Sequence, residues 1–355
     1  MKRQQRSSAY SRSGVDIDAQ DRALRGIREI VESTRTAGVL SELGSFGGLF
    51  APDLGGCAEP VLVSSADGVG TKLMVARMAG DYSTVGRDLV NHCVNDILVQ
   101  GAAPLFFLDY VGAGRLDPDA MRQLVGGVAA GCRENGCALL GGETAEMPGF
   151  YQEGDYELVG FIVGLVDRSR LIDGSRVAPR DVLVGLPSAG LHTNGFSLAR
   201  RALLEAAGLG LEDRLGETGM TVGEHLLAPH LSYLAAVRPL LGRAALHGIA
   251  HITGGGLTDN LPRILPRGLQ AEIRLGSWEI PELFAQIQRF GEVDSEEMLR
   301  VFNMGIGLVL AVAPESLGEV LRELRQQGQR GIPIGTVQEG PGGVVYDPGV
   351  GIVDE

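Results

Sequence analysis

Asp67-Gly68-Val69-Gly70-Thr71-Lys72 puts an acid at one end of a glycine turn and a base at the other. Two glycines within three residues let the backbone turn sharply and bring its N–H groups close to a ligand. A carboxylate can hold Mg²⁺, and an ammonium can meet phosphate oxygens. The order Thr71-Lys72 excludes a P-loop, which needs Gly-Lys followed by Ser or Thr. Leu73 stands where a dinucleotide fingerprint needs its third glycine. Taken alone, the segment also reads as a plain structural turn.

Further polar residues recur at suggestive places. Asp88, His92 and Asp96 follow one another at intervals of four, which is one helical face; a solvated stripe is the plain alternative. Asp109 interrupts the apolar run Leu105 to Val111, so it must be paired, metal-bound or at an exposed strand end. Glu143 follows Gly141-Gly142 at what reads as the end of a strand, where open α/β architectures gather ligands. His192 and Asn194 lie in a loop bounded by Gly190 and Gly195, which favours a contact role over packing. Gly254-Gly255-Gly256 leads into a helix start, where free N–H groups and the helix dipole suit phosphate. Asp16 and Asp18 alternate with apolar residues ahead of the first helix, where a simple N-cap is the alternative. No Ser-His-Asp spacing, HExxH or Cys/His metal cluster is present in the sequence.

These residues need elements to position them. Val61 to Val63 reads as a buried strand ahead of the first glycine turn. A helix from about 83 to 99 turns Val85, Leu89, Cys93 and Ile97 to the core. Asp117 caps the next helix, Pro118 takes its first position and Gly136 stops it. Cys137 to Leu140 is a short strand, and 156–166 closes the first half. A polar stretch over 167–181 marks the domain boundary, dividing the chain into 1–170 and 171–355. The second half opens with strand Val182 to Leu186. It continues with strands at 271–275, 305–313 and 332–337 and helices at 281–290, 295–302 and 315–327. The expected fold class is α/β of the α+β type, in two mixed domains.

Composition narrows the function. The 355 residues carry a net charge of −13, which argues against a nucleic-acid surface and requires local cations, N–H groups or a metal for any anionic ligand. No run approaches the roughly 20 apolar residues of a membrane span. Four cysteines without a CxxC pair read as free thiols in a reducing compartment, so a cytoplasmic protein is expected. The basic, Ser-rich opening lacks an apolar stretch and reads as a tail rather than a secretory signal. Several acids beside glycine loops point to Mg²⁺–nucleotide chemistry, and so to an ATP-using enzyme acting on a small phosphorylated metabolite.

The chain resembles the phosphoribosylformylglycinamidine cyclo-ligase (aminoimidazole ribonucleotide synthetase) family of purine biosynthesis. The matching stretches run in order along nearly the whole chain. They are GVDIDA (14–19), SFGGLF (45–50), SADGVGTKL (65–73), CVNDILVQGAAPLFFLDY (93–110), GGETAEMPGFY (141–151), GLHTNGFSLAR (190–200), LLAP (226–229), HITGGGLTDNLPRILP (251–266) and FNMGIG (302–307). The resemblance implies closure of formylglycinamidine ribonucleotide to aminoimidazole ribonucleotide with ATP, releasing ADP and phosphate. It implies Mg²⁺ on Asp67 and Asp96, with Asp109 and Glu143 as further acids nearby. ATP is expected at Asp16, Asp18, Gly68, Gly70, Thr71, Lys72, Asp109 and Glu143, with Lys72 on its phosphates and the segment of Asp16 and Asp18 closing as a flap. The phosphorylated ribonucleotide is expected at His192, Asn194 and Gly254 to Gly256. His192, Lys72 and Asp67 are the expected catalytic residues, His192 as a proton-transfer group. A homodimer is implied, its first domains pairing into a shared β-barrel.

There are departures. His92 stands where the family carries an apolar residue. His230-Leu231-Ser232 replaces Thr-Arg-Ile after LLAP, and Arg28 stands where some members carry Lys. Selenophosphate synthetase, thiamine-phosphate kinase and a hydrogenase maturation factor share the fold. A selenophosphate synthetase would want a reactive Cys in an N-terminal glycine loop, and the maturation factor a C-terminal Cys; this chain has neither. A non-catalytic nucleotide-binding protein is the alternative from a different class.

Overall fold

The computed structural model describes residues 26–348. Asp16 and Asp18 lie outside the described residues. The architecture is mixed α/β with two sheets. The first has four strands in the order β1 (Pro60–Gly68), β4 (Tyr156–Asp167), β2 (Ala103–Ala113) and β3 (Ala138–Glu146). Only the β2–β3 pair is parallel. The second has six strands: β10 (Val344–Asp347), β7 (Leu269–Arg274), β9 (Ile332–Glu339), β5 (Val182–Pro187), β8 (Ile306–Val312) and β6 (Leu246–His251).

Two helices cover one face of the first sheet. Helix α1 (Lys72–Ala79) precedes them; α2 (Val85–Leu98) packs on β1 and β4, and α3 (Pro118–Asn135) packs on α2. The Asp117 carboxylate accepts from the N–H groups of Asp119 and Ala120, at 2.8 and 3.0 Å, and Gly136 ends α3 in the left-handed conformation. The crossing of α2 and α3 is close. A Cβ on Gly86 would lie 2.2 Å from the Leu124 carbonyl oxygen, so only glycine fits there.

Helix α2 is buried on every side: twelve of its fourteen residues are inaccessible. Val85, Leu89, Cys93 and Ile97 do face the core, each at 0% exposure. The Asp88–His92–Asp96 face is no solvated stripe, because the second domain's segment 228–234 lies against it. Asp88 and His92 are buried and Asp96 is largely so.

Strand β1 differs from the expected buried strand. Its residues alternate, and Leu62 is 66% exposed, because among the described residues the sheet face opposite α2 is left uncovered around it. β3 also differs: it does not stop at Gly141 but runs to Glu146, with Gly142 and Glu143 registered against Asp109 and Tyr110. Pairing with β2 overrides the local loop tendency of two glycines.

Candidate active site

A cavity of about 430 Å³ opens where β1 and α2 meet the second domain. One wall carries Asp67, His92 and Asp96, and the other carries Thr253, Asn260 and Arg263. Asp67 Oδ1 accepts from its neighbour Gly68 N–H at 2.7 Å, and Oδ2 lies 2.8 Å from His92 Nε2. Asp96 Oδ2 accepts from Ser65 Oγ at 2.8 Å, and Oδ1 lies 2.8 Å from His251 Nδ1. His92 Nδ1 is 2.7 Å from Thr193 Oγ1.

Burial works against the charge on both carboxylates. For Asp67 the hydrogen bond and charge of His92 outweigh it, and for Asp96 those of His251 do, so both acids are held below the ordinary range. The same balance acts on His92 in reverse. Burial pulls its imidazolium down, but Asp67 and Asp96 push it above its ordinary value. The result is a charged acidic wall facing Arg263, whose Nη1 donates to Asn260 Oδ1 at 3.3 Å.

Asn260 organises the glycine loop. Its Nδ2 donates to the carbonyls of Gly256 and Gly254, at 2.9 and 3.1 Å. Gly255 and Gly256 take φ of +97° and +58°, and a Cβ on Gly256 would meet the Leu299 carbonyl at 2.1 Å. The helix that follows, Gly256–Asn260, has only five residues, so its dipole is weaker than the expected helix start implied. Asn194 Oδ1 lies 3.2 Å from where a Gly254 Cβ would sit, so these two expected residues are neighbours.

A second cavity, of about 800 Å³, holds Asp109, Glu143 and Arg28 together with Phe46, Tyr110 and Phe161. Asp109 and Asp67 both register with Gly160 of the intervening β4, which places the two acids in one row. Two inter-strand spacings put their backbones about 10 Å apart. Burial pushes the Asp109 carboxyl up to about 7.

Two family models match the chain. Residues 56–166 match AIR synthase related protein, N-terminal domain, and residues 178–348 match AIR synthase related protein, C-terminal domain. The phosphoribosylformylglycinamidine cyclo-ligase of Trichlorobacter lovleyi is 50% identical over 331 residues, 93% of this chain and 95% of that protein. The cyclo-ligase of Desulfitobacterium hafniense strain DCB-2 is 51% identical over 338 residues, 95% of this chain and 99% of that protein. The chain belongs to the phosphoribosylformylglycinamidine cyclo-ligase family. Solved structures share the fold at low identity. Escherichia coli HypE gives a TM-score of 0.68 at 18% identity, covering 94% of this chain and 95% of its own. Thiamine-monophosphate kinase of Stenotrophomonas maltophilia gives 0.66 at 18%, covering 92% of this chain and 97% of its own. Thermotoga maritima PurL, complexed with AMPPCP, gives 0.54 at 14%, covering 90% of this chain and 45% of its own.

Against the expectations for a cyclo-ligase, the structure brings Asp67 and Asp96 together and makes three corrections. Lys72 is fully buried and does not face either cavity. Its Nζ lies 2.6 Å from Asp88 Oδ2 and donates to the carbonyls of Ala228 and His192, at 2.8 and 3.3 Å. All three donors are spent, so the ammonium clamps two domains rather than meeting phosphates. Asp109 and Glu143 are not beside the Asp67–Asp96 pair but line the second cavity. His192 lines neither of these cavities. Its ring is 1% exposed, stacks on His230 at 4.0 Å between centres, and accepts from Ala189 N–H at 3.2 Å. Burial first, and then the positive neighbours, hold it well below its ordinary value, so it is neutral. Thr71 abuts the second domain, its Oγ1 lying 3.1 Å from Ser197 Oγ, and Gly70 makes the turn before it at φ +54°. Ser65, Thr253, Asn260 and Arg263 were not singled out from the sequence. The one signal was Asn260 and Arg263 three residues apart after the glycine loop.

Proposed function

We propose that this cyclo-ligase closes the imidazole ring of aminoimidazole ribonucleotide from formylglycinamidine ribonucleotide, using ATP and releasing ADP and phosphate. ATP phosphorylates the formamide oxygen, which makes a poor leaving group into phosphate. The amidine nitrogen attacks that carbon, a C–N bond forms and phosphate departs. The protein's contribution is positioning and charge neutralisation. The observation that carries the reading is near-full-length identity of about half with proteins named for this activity. The charge-divided cavity supports it.

Asp67 and Asp96 fit Mg²⁺: both offer hard carboxylate oxygens, both are held ionised, and both line an open cavity. Mg²⁺ there would neutralise phosphate charge. Ser65 and His251 fix the Asp96 carboxylate, and His92 and Gly68 N–H fix Asp67. Arg263 would take an anionic oxygen of the ribonucleotide, with Asn194 and the loop Gly254 to Gly256 beside it. The aromatic and apolar wall of the larger cavity suits the adenosine of ATP, with Asp109 and Glu143 as acceptors for its donors. ATP binding is supported by fold relatives solved as ATP or AMPPCP complexes. The row spacing of about 10 Å between Asp67 and Asp109 is within reach of an extended triphosphate. His192 acts through its loop, which it holds in a left-handed turn at φ +60° and which delivers Asn194.

We place the domain boundary near residue 170 and propose a homodimer joined through the uncovered face of the first sheet. Leu62 at 66% and Phe161 at 50% exposure stand on that face, too much apolar surface to leave in water. A cytoplasmic location is supported by four free cysteines. Among the described residues no helix is long and apolar enough to cross a membrane.

The test is incubation with Mg²⁺, ATP and formylglycinamidine ribonucleotide, with the aminoimidazole product read by diazo coupling. Product with matching ADP is expected. A folded protein that gives none overturns the reading and sends the search to the kinase and selenophosphate reactions of fold relatives.

A further inference from the structure

The motif FNMGIG (302–307) lines neither of the two cavities, yet it lies beneath both glycine loops assigned to the ribonucleotide. The loop 188–195 is bent against its own preference. Gly190, His192 and Gly195 take φ of +137°, +60° and +78°. His192 is the strained member, because a residue with a Cβ rarely enters the left-handed region and stays there only when its surroundings hold it.

The holding groups come from the motif. Asn303 is buried, at 4% exposure. Its Nδ2 donates to the Gly190 carbonyl at 2.8 Å, and its Oδ1 accepts from Gly305 N–H at 2.8 Å. Ser188 N–H donates to the Gly305 carbonyl at 2.9 Å. Ser188 Oγ lies 2.9 Å from the Gly190 oxygen and 3.1 Å from Asn303 Oδ1, so its single proton closes one of the two contacts. A Cβ on Gly307 would lie 2.6 Å from His192 Cε1, and one on Gly195 would lie 2.2 Å from the Phe302 ring. The motif therefore passes directly under the loop at three points.

The second loop stands on the same segment. A Cβ on Gly256 would lie 2.1 Å from the Leu299 carbonyl oxygen and 2.7 Å from that of Phe302. The segment is itself pinned, because Trp278 Nε1 donates to the Met304 carbonyl at 2.8 Å and Met304 is held at φ +50°. Asn194 and Gly254 keep their spacing because both of their loops rest on residues 299–305.

We propose that Asn303 is a positioning residue for the ribonucleotide: through the Gly190 carbonyl it fixes the loop that presents Asn194 to the loop Gly254 to Gly256. The inference rests on the reading that these loops hold the ribonucleotide. Asn303 touches no substrate, so it acts on binding of one substrate and not of the other.

The test is steady-state kinetics of the full chain, with formylglycinamidine ribonucleotide and ATP varied in turn and the product read by diazo coupling. Asn303→Ala is expected to raise the KM for the ribonucleotide by about 10-fold, the worth of one buried hydrogen bond, with the KM for ATP unchanged. Ser188→Ala, which leaves the Asn303 bond to Gly190 in place, should move the same KM in the same direction by about 2–3-fold. Asn194→Ala tests the underlying reading and should also raise the ribonucleotide KM alone. A purely structural Asn303 would lower the active fraction, and so the apparent kcat, with both KM values at wild type; that result overturns the inference, as does an equal rise in both. An effective Asn194→Ala beside an inert Asn303→Ala overturns the inference alone. An inert Asn194→Ala overturns the ribonucleotide reading of the loop and the inference with it. If Asn303→Ala does not fold, Ser188→Ala decides, and a wild-type ribonucleotide KM there overturns the positioning role.

Discussion

Replacing Lys72 with Met, and separately Asp88 with Asn, tests whether this lysine is a clamp or a phosphate ligand. Both side chains are 0% exposed, and the ion pair is 2.6 Å long. Removing one member of such a pair leaves a buried charge without its partner, at a cost of about 3–5 kcal/mol. Lys72→Met also strips the Ala228 and His192 carbonyls of their donor. Asp88→Asn keeps an acceptor for His230 N–H, which now lies 2.6 Å from Oδ1, so its cost comes from the lost charge alone. About 4 kcal/mol is close to a thousandfold in the folding equilibrium. Equilibrium urea unfolding of the two single variants and the double variant gives the cycle. The double variant is expected to lose clearly less than the sum, because the second substitution removes the charge that the first left stranded. If both single variants stay within about 1 kcal/mol of wild type while Lys72→Met raises the KM for ATP, the clamp is wrong and the phosphate role returns.

Three further outcomes follow. Asp109 stands at about 7 in the folded chain against an ordinary 3.8, so the folded state holds this proton more tightly than the unfolded one. The associated stability is full below pH ~4 and is lost as pH rises through ~7, an effect of about 2–4 kcal/mol. Calorimetry should find Asp109→Asn more stable than wild type at pH 8 and its pH slope flatter, and an unchanged slope would refute the burial argument. Gly86→Ala drives a Cβ against α3 backbone and should cost about 1–3 kcal/mol or more, whereas Gly126→Ala, with nothing within 4 Å, should gain about 0.5–1 kcal/mol. Equal melting temperatures for the two would contradict the close crossing. Phe161→Glu should halve the mass measured by light scattering; a dimer of unaltered mass would move the interface elsewhere.

Local patterns were legible where one segment decides its own structure. Asp117, Pro118 and Gly136 bounded α3, and the four-residue apolar recurrence oriented α2. Asp67 and Asp96 could be paired from their motifs. What escaped depends on partners distant in the chain. Lys72 ends a glycine turn in the manner of a phosphate ligand, but its Asp88 partner and the Ala228 carbonyl are supplied by tertiary packing. The Gly141-Gly142 pair signals a loop in isolation, and β2 recruits it into a strand. Periodicity placed Asp88, His92 and Asp96 on one face. It could not say that segment 228–234 would cover that face, nor that His230 and His251 would meet His92 there.

The buried sides of α2 have a consequence for how the chain folds. Asp88 needs Lys72 from its own half and His230 N–H from the other, and Asn91 and Asn95 are satisfied by the carbonyls of His230 and Leu231. The apolar cluster is equally continuous: Leu89 and Phe107 belong to the same core as Leu186, Leu308 and Tyr233. A chain cut near residue 170 would strip Asp88, Asn91 and Asn95 of the partners that the second half supplies and leave half a core open to water. The two sheets should thus melt together in one cooperative transition. Neither half is then a module that evolution or an engineer could exchange without also exchanging the helix between them.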